Sequence, residues 1–271
     1  GNMVASASPD QLLRVGMQGQ MILAPLTRGG NLPFRRLCAD FGMRVGVGEM
    51  VFARMLLNDD KKEKARLRRA ANEGLFGVQI ATNDVEEGVR AVALAAEAGA
   101  DWVDLNCGCP IYEATRRGLG SALLRKPDRL ATLVRGISER SVLPLTVKVR
   151  TASVGDDVNV RQVVAELRKA GAAAVTVHGR TAEQRYSKAA DWGVIAAVVG
   201  DGVDAGSEVP IIGNGDVQEW YEARRRLEET GVHAVMVGRA ALTKPWMFDE
   251  FDRSKAWEPD VAERVAVWRK L

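Results

Sequence analysis

Asp101-Trp102-Val103-Asp104-Leu105-Asn106, running directly into Cys107-Gly108-Cys109-Pro110, is the stretch that decides the fold. It reads as a short, largely apolar strand that stops where polar and turn-forming residues abruptly appear. The same unit recurs along the chain, with candidate strands at 21–24, 45–50, 75–81, 101–106, 144–149, 173–177, 210–212 and 232–237, each followed by a longer amphipathic stretch. Strands buried on both faces and separated by helices belong to a parallel sheet, and eight of them close naturally into a ring. The expected fold is therefore α/β, a (β/α)₈ TIM barrel. An open doubly wound sheet is the competing reading, but no G-x-G-x-x-G follows the first strand and no Walker-type glycine loop occurs.

Local signals support several helix starts. Asn31 is placed to cap a helix that Pro33 enters in its first turn. Asp84 with Glu87 three residues later predicts a capping box for a helix that runs out at Gly99. A charged helix is expected from Lys61 to Arg69 after the second strand. The domain reading is a lead-in over 1–20, with Gly1-Asn2-Met3 as a tag remnant, a barrel over 21–251, and a linker over 252–271 that begins a truncated helical extension.

Composition narrows the function classes. The 271 residues can bury a full core, and the formal charge of +3 neither demands nor excludes a nucleic acid. Basic residues cluster at Arg66, Arg68 and Arg69 and at Arg116, Arg117, Arg125 and Lys126, each readable as a solvated helix face. No apolar run reaches the roughly 18 residues that cross a bilayer, so no membrane partner is expected. Three cysteines, Cys38, Cys107 and Cys109, are too few and unevenly spaced for a disulfide framework, which suggests a reducing compartment, cytoplasm or nucleus. With two histidines elsewhere they complete no zinc pattern, and no metal is expected.

In a TIM barrel the chemistry lies just past the carboxyl ends of the strands. Those positions carry Pro25-Leu26-Thr27, Glu49-Met50, Gln79, Asn106 with Cys109, Lys148 with Arg150, His178-Gly179-Arg180, Asn214-Gly215-Asp216 and Gly238-Arg239, whereas the starts carry few polar groups beyond Asp101 and His233. Loops seven and eight, Gly213-Asn214-Gly215 and Gly238-Arg239, stand where such barrels often bind phosphate, with Arg239 offering a fork of donors. Gln79 presents an amide suited to an imide edge. Lys148 places a cation in the mouth, which is costly unless negative charge meets it. His178 can bind a phosphate, contact a cofactor or satisfy a turn carbonyl. Cys109, held extended by Pro110, is a thiol near the mouth, and Cys107 reads as a small hydrophobe pointing inward.

Taken together, the strand-end motifs resemble those of the tRNA-dihydrouridine synthases, particularly the eukaryotic Dus3-type branch. The matching stretches include Ala24-Pro25-Leu26-Thr27, Gly30-Asn31-Leu32-Pro33-Phe34-Arg35-Arg36, Phe76-Gly77-Val78-Gln79, Asp104-Leu105-Asn106-Cys107-Gly108-Cys109-Pro110, Leu145-Thr146-Val147-Lys148-Val149-Arg150, His178-Gly179-Arg180-Thr181 and Gly213-Asn214-Gly215-Asp216. The resemblance implies an FMN-binding barrel that uses NADPH to reduce the uridine C5–C6 bond in tRNA. Hydride would go to C6 and a proton from Cys109 to C5. It assigns cofactor contacts to Pro25, Leu26, Thr27, Gln79, Lys148, His178, Asn214, Gly215, Asp216, Gly238 and Arg239, and the hold on an extruded uridine to Asn106 and Arg180.

The chain departs from the family pattern at Gly118-Leu119-Gly120-Ser121, where three consecutive glycines are usual, and Leu119 puts the flexibility of that loop in question. The resemblance also implies a helical RNA-binding domain after the barrel and, in that branch, N-terminal zinc fingers. Without those modules the expected partner is tRNA held weakly by a monomer, with messenger RNA a further candidate. Two other functions stay open on the residues alone. One is a different FMN barrel oxidoreductase acting on a small enone or on dihydroorotate, and the other is a non-catalytic RNA-binding barrel.

Overall fold

The computed structural model describes residues 7–271, so the expected tag remnant at Gly1-Asn2-Met3 lies outside the described residues. Eight parallel strands close on themselves: β1 (Met21–Leu23), β2 (Val45–Val47), β3 (Leu75–Ala81), β4 (Trp102–Cys107), β5 (Leu145–Arg150), β6 (Ala174–His178), β7 (Ile211–Asn214) and β8 (Ala234–Val237). Closure comes from Ile22 beside Met236 at one seam and Val45 beside Leu75 at another. The expected TIM barrel is the fold.

Strict alternation sorts every strand into an inner and an outer face. In β4, Val103, Leu105 and Cys107 join the large core between barrel and helices, while Trp102 packs in the lumen with Ile22, Val45, Val47, Ala174, Ile212 and Met236. Both sets are apolar at the level of the strand starts, which is why the sequence lacks a wet face. At this level the lumen is filled: Gly77 faces Trp102, and a Cβ at Gly77 would collide with the indole ring.

Several boundaries differ from expectation for local reasons. The second strand, expected over 45–50, breaks after Val47 and resumes only as Val51–Phe52 beside the end of β3. Glu49 is the cause, because a carboxylate cannot stay in a strand buried on both faces, and it turns out to accept the Arg28 N–H at 2.6 Å. The charged helix expected from Lys61 to Arg69 ends at Arg66, and Arg69 instead caps loop carbonyls of Gly99 and Glu73. Asn31 caps its helix as read, accepting from Phe34 N at 3.0 Å. Asp84 accepts from Glu87 N, but the reciprocal half of the box is missing, since Glu87 pairs with Arg54 and Thr82.

Helices at both ends refine the sequence reading. The lead-in contains a helix, Pro9–Met17, capped by Ser8, whose Leu13 and Met17 plug the lower end of the barrel. Beyond the barrel, helix Met247–Arg253 runs across the expected boundary at 251/252, and helix Val261–Trp268 packs Val267 against Leu37 and Trp246.

Candidate active site

The upper end of the barrel opens into a cavity of about 500 Å³, within the range of small-molecule and cofactor sites. Every residue given a catalytic, cofactor or substrate role lines it: Pro25, Leu26 and Thr27 after β1, Gln79 in β3, Asn106 and Cys109 from β4, Lys148 in β5, His178 and Arg180 from β6, Asn214, Gly215 and Asp216 from β7, and Gly238 and Arg239 after β8. Glu49 and Met50, also at a strand end, lie outside it: Glu49 accepts the Arg28 N–H, and Met50 packs with Ala81, Ala114 and Leu119. Register explains the convergence. Asn106 lies beside Lys148, Arg150 beside His178, and His178 beside Asn214, so inward positions of neighbouring strands meet in one ring.

Cys109 is half-buried at the rim, and its backbone is clamped on both sides. Its N–H donates to Asn106 Oδ1 at 2.9 Å, and its carbonyl accepts from Ser121 N at 3.0 Å. Gly120, at φ 60°, passes so close that a Cβ would strike the Cys109 carbonyl. Leu119 does not dangle. It is buried with Met50, Ala81 and Ala114 and packs beside Phe52 and Cys109. Cys107, two residues earlier, falls on the opposite parity: it is fully buried in the layer between barrel and helices, pointing away from the lumen, and burial pushes its thiol well up.

Beneath the rim runs a polar chain. Asn106 Nδ2 donates to Gln79 Oε1 at 2.9 Å, and Gln79 Nε2 donates to Asp104 Oδ2 at 2.8 Å. Thr146 Oγ1 donates to the other oxygen of Asp104 at 2.6 Å. Neither Asp104 nor Thr146 was assigned a role from the sequence. Their signal was present in parity alone, since 104 and 106 share a face and 146 lies beside 104.

The far wall is cationic. Burial pulls the Lys148 ammonium down to about 8, aided by repulsion from Arg150 and opposed by Asp104. Burial also lowers His178, and Lys148, Arg150, Arg180 and Arg239 push it further, so the imidazole stays neutral at physiological pH. Because a guanidinium only donates, the contact of Arg180 Nη1 with His178 Nε2 at 3.4 Å makes Nε2 the acceptor and assigns the ring proton to Nδ1.

Arg180 is less available than its position in the sequence suggests. Both oxygens of Asp216 hold its Nη2, at 2.6 and 2.7 Å, and its Nε donates to the Lys188 carbonyl. Asp216, at φ 52°, also accepts from Ala190 N and reaches Arg239 at 3.4 Å. Burial pushes its carboxyl up, but these donors and guanidinium charges outweigh that and hold it below the usual range. Asp216 thus turns toward arginines and orients them at the rim. Gly215, at φ 130°, faces Ala190 and His178 so closely that a side chain would collide.

Arg150 was noted in the sequence without a role. It lines the cavity, is 7% exposed, and uses Nη1 on the Thr181 carbonyl. Tyr186, on the loop after β6, lines the same opening with the Arg239 guanidinium 3.8 Å from its ring centroid. The arrangement offers a thiol, side-chain amides, a neutral imidazole and five cations around one opening, a donor set suited to an anionic, hydrogen-bonding ligand.

Comparison with known proteins gives a consistent picture. Residues 22–270 match the family model described as dihydrouridine synthase (Dus). A human protein named tRNA-dihydrouridine(47) synthase [NAD(P)(+)]-like is 40% identical over 268 residues, covering 98% of this chain and 40% of that protein. A Cryptococcus neoformans protein named tRNA-dihydrouridine(47) synthase [NAD(P)(+)] is 39% identical over 275 residues, covering 97% of this chain and 38% of its own length. The chain thus spans about two fifths of the length of these curated relatives. Among solved structures, a 2-naphthoyl-CoA reductase complex superposes with a TM-score of 0.65 at 12% identity, over 88% of this chain and 50% of that one. Histamine dehydrogenase from Rhizobium sp. 4-9 superposes with a TM-score of 0.63 at 14% identity, over 87% and 46%. At such identities these two likenesses speak for the fold.

Proposed function

This chain belongs to the dihydrouridine synthase family, and from that premise we propose that it is an FMN-dependent catalytic barrel that reduces the C5–C6 bond of uridine in tRNA, with NADPH as the reductant. The observation that carries the reading is that Cys109 opens on the same cavity as Gln79, Lys148 and His178, whereas Cys107 faces the helices. The residues fit the cofactor chemically. Gly215 lines the cavity with backbone alone, Arg239 supplies a guanidinium, and Gln79 supplies an amide for an imide edge.

Bound and reduced FMN supplies the hydride for C6 of the base. Lys148 offers positive charge to an anionic reduced cofactor, and neutral His178 adds a hydrogen-bonding group without competing for protons. Cys109 delivers a proton to C5 from a loop whose two clamps use only its backbone. Asn106 and Arg180 carry protein partners of their own, so their part in holding the uridine is largely to keep Cys109 and the rim in place. The base must leave its stack to reach the cavity, and Arg150 and Tyr186 stand at its entrance. The proposal includes tRNA as the partner, in a cytoplasmic or nuclear setting. No helix among the described residues is long and apolar enough to cross a membrane.

The test is the visible spectrum of the purified protein followed by NADPH-dependent dihydrouridine formation in unmodified tRNA. A flavin spectrum and RNA-dependent turnover are expected. A colourless protein that FMN cannot reconstitute removes the flavin reading, and reduction of a free enone with no dependence on RNA favours a different FMN oxidoreductase.

Lys148 adds a pH dependence. FMN affinity, read from flavin fluorescence, is expected to fall as pH rises from about 7 to about 9, because the ammonium loses its proton around 8. In Lys148→Met the affinity is lower and flat across that window. A flat wild-type curve would exclude Lys148 as the titrating cation. For stability the sign is opposite: the folded-state value lies below the ordinary 10.5, so the protonated buried group costs stability, and that cost fades as pH climbs from about 8 toward 10.5.

A further inference from the structure

Asp104 sits inside the barrel, 2% exposed, one layer below the mouth and on the same inward face of β4 as Asn106. A carboxylate there is costly, and burial pushes its pKa up. It touches none of the groups that would meet a substrate base, and the function proposed above leaves it without a task.

We propose that Asp104 is the positioning residue for Cys109, acting through a directional chain of hydrogen bonds that ends on the Cys109 backbone. The argument rests on the two ends of that chain. At the top, Asn106 Oδ1 accepts from two backbone N–H groups, Gly108 at 3.2 Å and Cys109 at 2.9 Å, and backbone N–H groups can only donate. At the bottom, the Asp104 carboxylate can only accept when ionised, and Thr146 donates to its second oxygen.

Between these ends stand two reversible groups, the amides of Asn106 and Gln79. With both ends determined, only one orientation of each satisfies every contact: Asn106 nitrogen to Gln79 oxygen, and Gln79 nitrogen to Asp104. Flipping either amide sets donor against donor or acceptor against acceptor in a buried site. Asp104 therefore selects the orientation of Gln79, Gln79 selects that of Asn106, and Asn106 holds the loop that carries the thiol. The acceptor at 104, rather than packing alone, keeps that loop closed on its clamp.

This inference rests on the proposed function only in giving Cys109 a task, and it can be tested without cofactor or RNA. The readout is the rate of alkylation of Cys109 by iodoacetamide in flavin-free protein, followed by mass spectrometry of its peptide, with buried Cys38 and Cys107 as internal controls. Asp104→Leu, which fills the space but removes the acceptor, is expected to raise that rate about tenfold, the equivalent of one lost relay hydrogen bond in the closed loop. Asp104→Asn keeps an acceptor for Gln79 and is expected to restore the wild-type rate. Thr146→Val disturbs the same buried carboxylate but leaves the relay intact, and is expected to change nothing at Cys109.

If Asp104→Leu does not fold, Gln79→Met cuts the same relay one step higher and must give the same rise. A wild-type rate in the relay-breaking variant overturns the proposal, as does failure of Asp104→Asn to rescue, or a rise in Thr146→Val as large as in Asp104→Leu. A protein that makes no dihydrouridine but whose Cys109 still responds to residue 104 removes the proposed reaction and leaves the positioning role standing.

Discussion

Cys109→Ala is expected to bind FMN as tightly as wild type and to lose dihydrouridine formation by roughly 10²–10⁴-fold, the usual contribution of a positioned acid. The substitution isolates chemistry from architecture unusually well. Both clamps on residue 109 are made by its backbone, to Asn106 Oδ1 and from Ser121 N, and alanine keeps them. The apolar neighbours Leu119, Ala114 and Phe52 lose only a sulfur contact. Cys107→Ala is the matched control. It lies in the outer core and is expected to cost some packing stability while leaving turnover per folded molecule unchanged. Quantifying dihydrouridine in tRNA by mass spectrometry, with flavin content measured on the same samples, decides the matter. Equal turnover in Cys109→Ala and wild type would remove the proton-donor assignment.

The second large effect concerns stability. Glu73→Ala is expected to destabilise the protein by about 3–5 kcal/mol, since it strands a buried guanidinium. Arg35 and Glu73 form an ion pair at 2.7 Å with side chains only 2% and 1% exposed. Arg35 also donates to the Gly30 carbonyl at 2.9 Å and the Arg68 carbonyl at 2.7 Å, and its guanidinium lies 4.7 Å from the centre of the Phe76 ring. One side chain thereby ties the loop that follows Pro25-Leu26-Thr27 to the loop before β3. The exposed pair Arg14–Glu208 gives the contrast, with side chains 42% and 84% exposed, and Glu208→Ala is expected to cost far less because water replaces the lost partner. Replacing Arg35 and Glu73 together by Met and Leu should recover most of the loss. Urea unfolding of wild type and the three variants gives the comparison, and a Glu73→Ala loss no larger than that of Glu208→Ala would refute it.

Much of the barrel and of the candidate site was legible because both follow from one-dimensional rules. A strand covered on both faces has to be apolar along its length, so polar residues collect where each strand leaves the barrel, and Gln79, Lys148, His178 and Asn214 announce themselves by position. The departures arise where a side chain answers to something distant. Glu49 breaks the second strand because the Arg28 N–H is within reach, and Glu87 abandons its capping box for Arg54, 33 residues earlier. Arg180, which the resemblance assigns to an extruded uridine, is already held by Asp216, 36 residues later.

The linear order of residues carries the number and order of the strands, the end of the barrel that holds the chemistry, and the candidate thiol before Pro110. These are consequences of hydrophobic periodicity and chain direction, which any local stretch contains. Only the closed ring settles that Cys107 faces the helices, which cations are already paired, and that Asp104 lies beneath Asn106 at the foot of a polar relay. Those outcomes depend on parity and stagger between neighbouring strands. Register is set by closure of the whole ring, so no single segment encodes it.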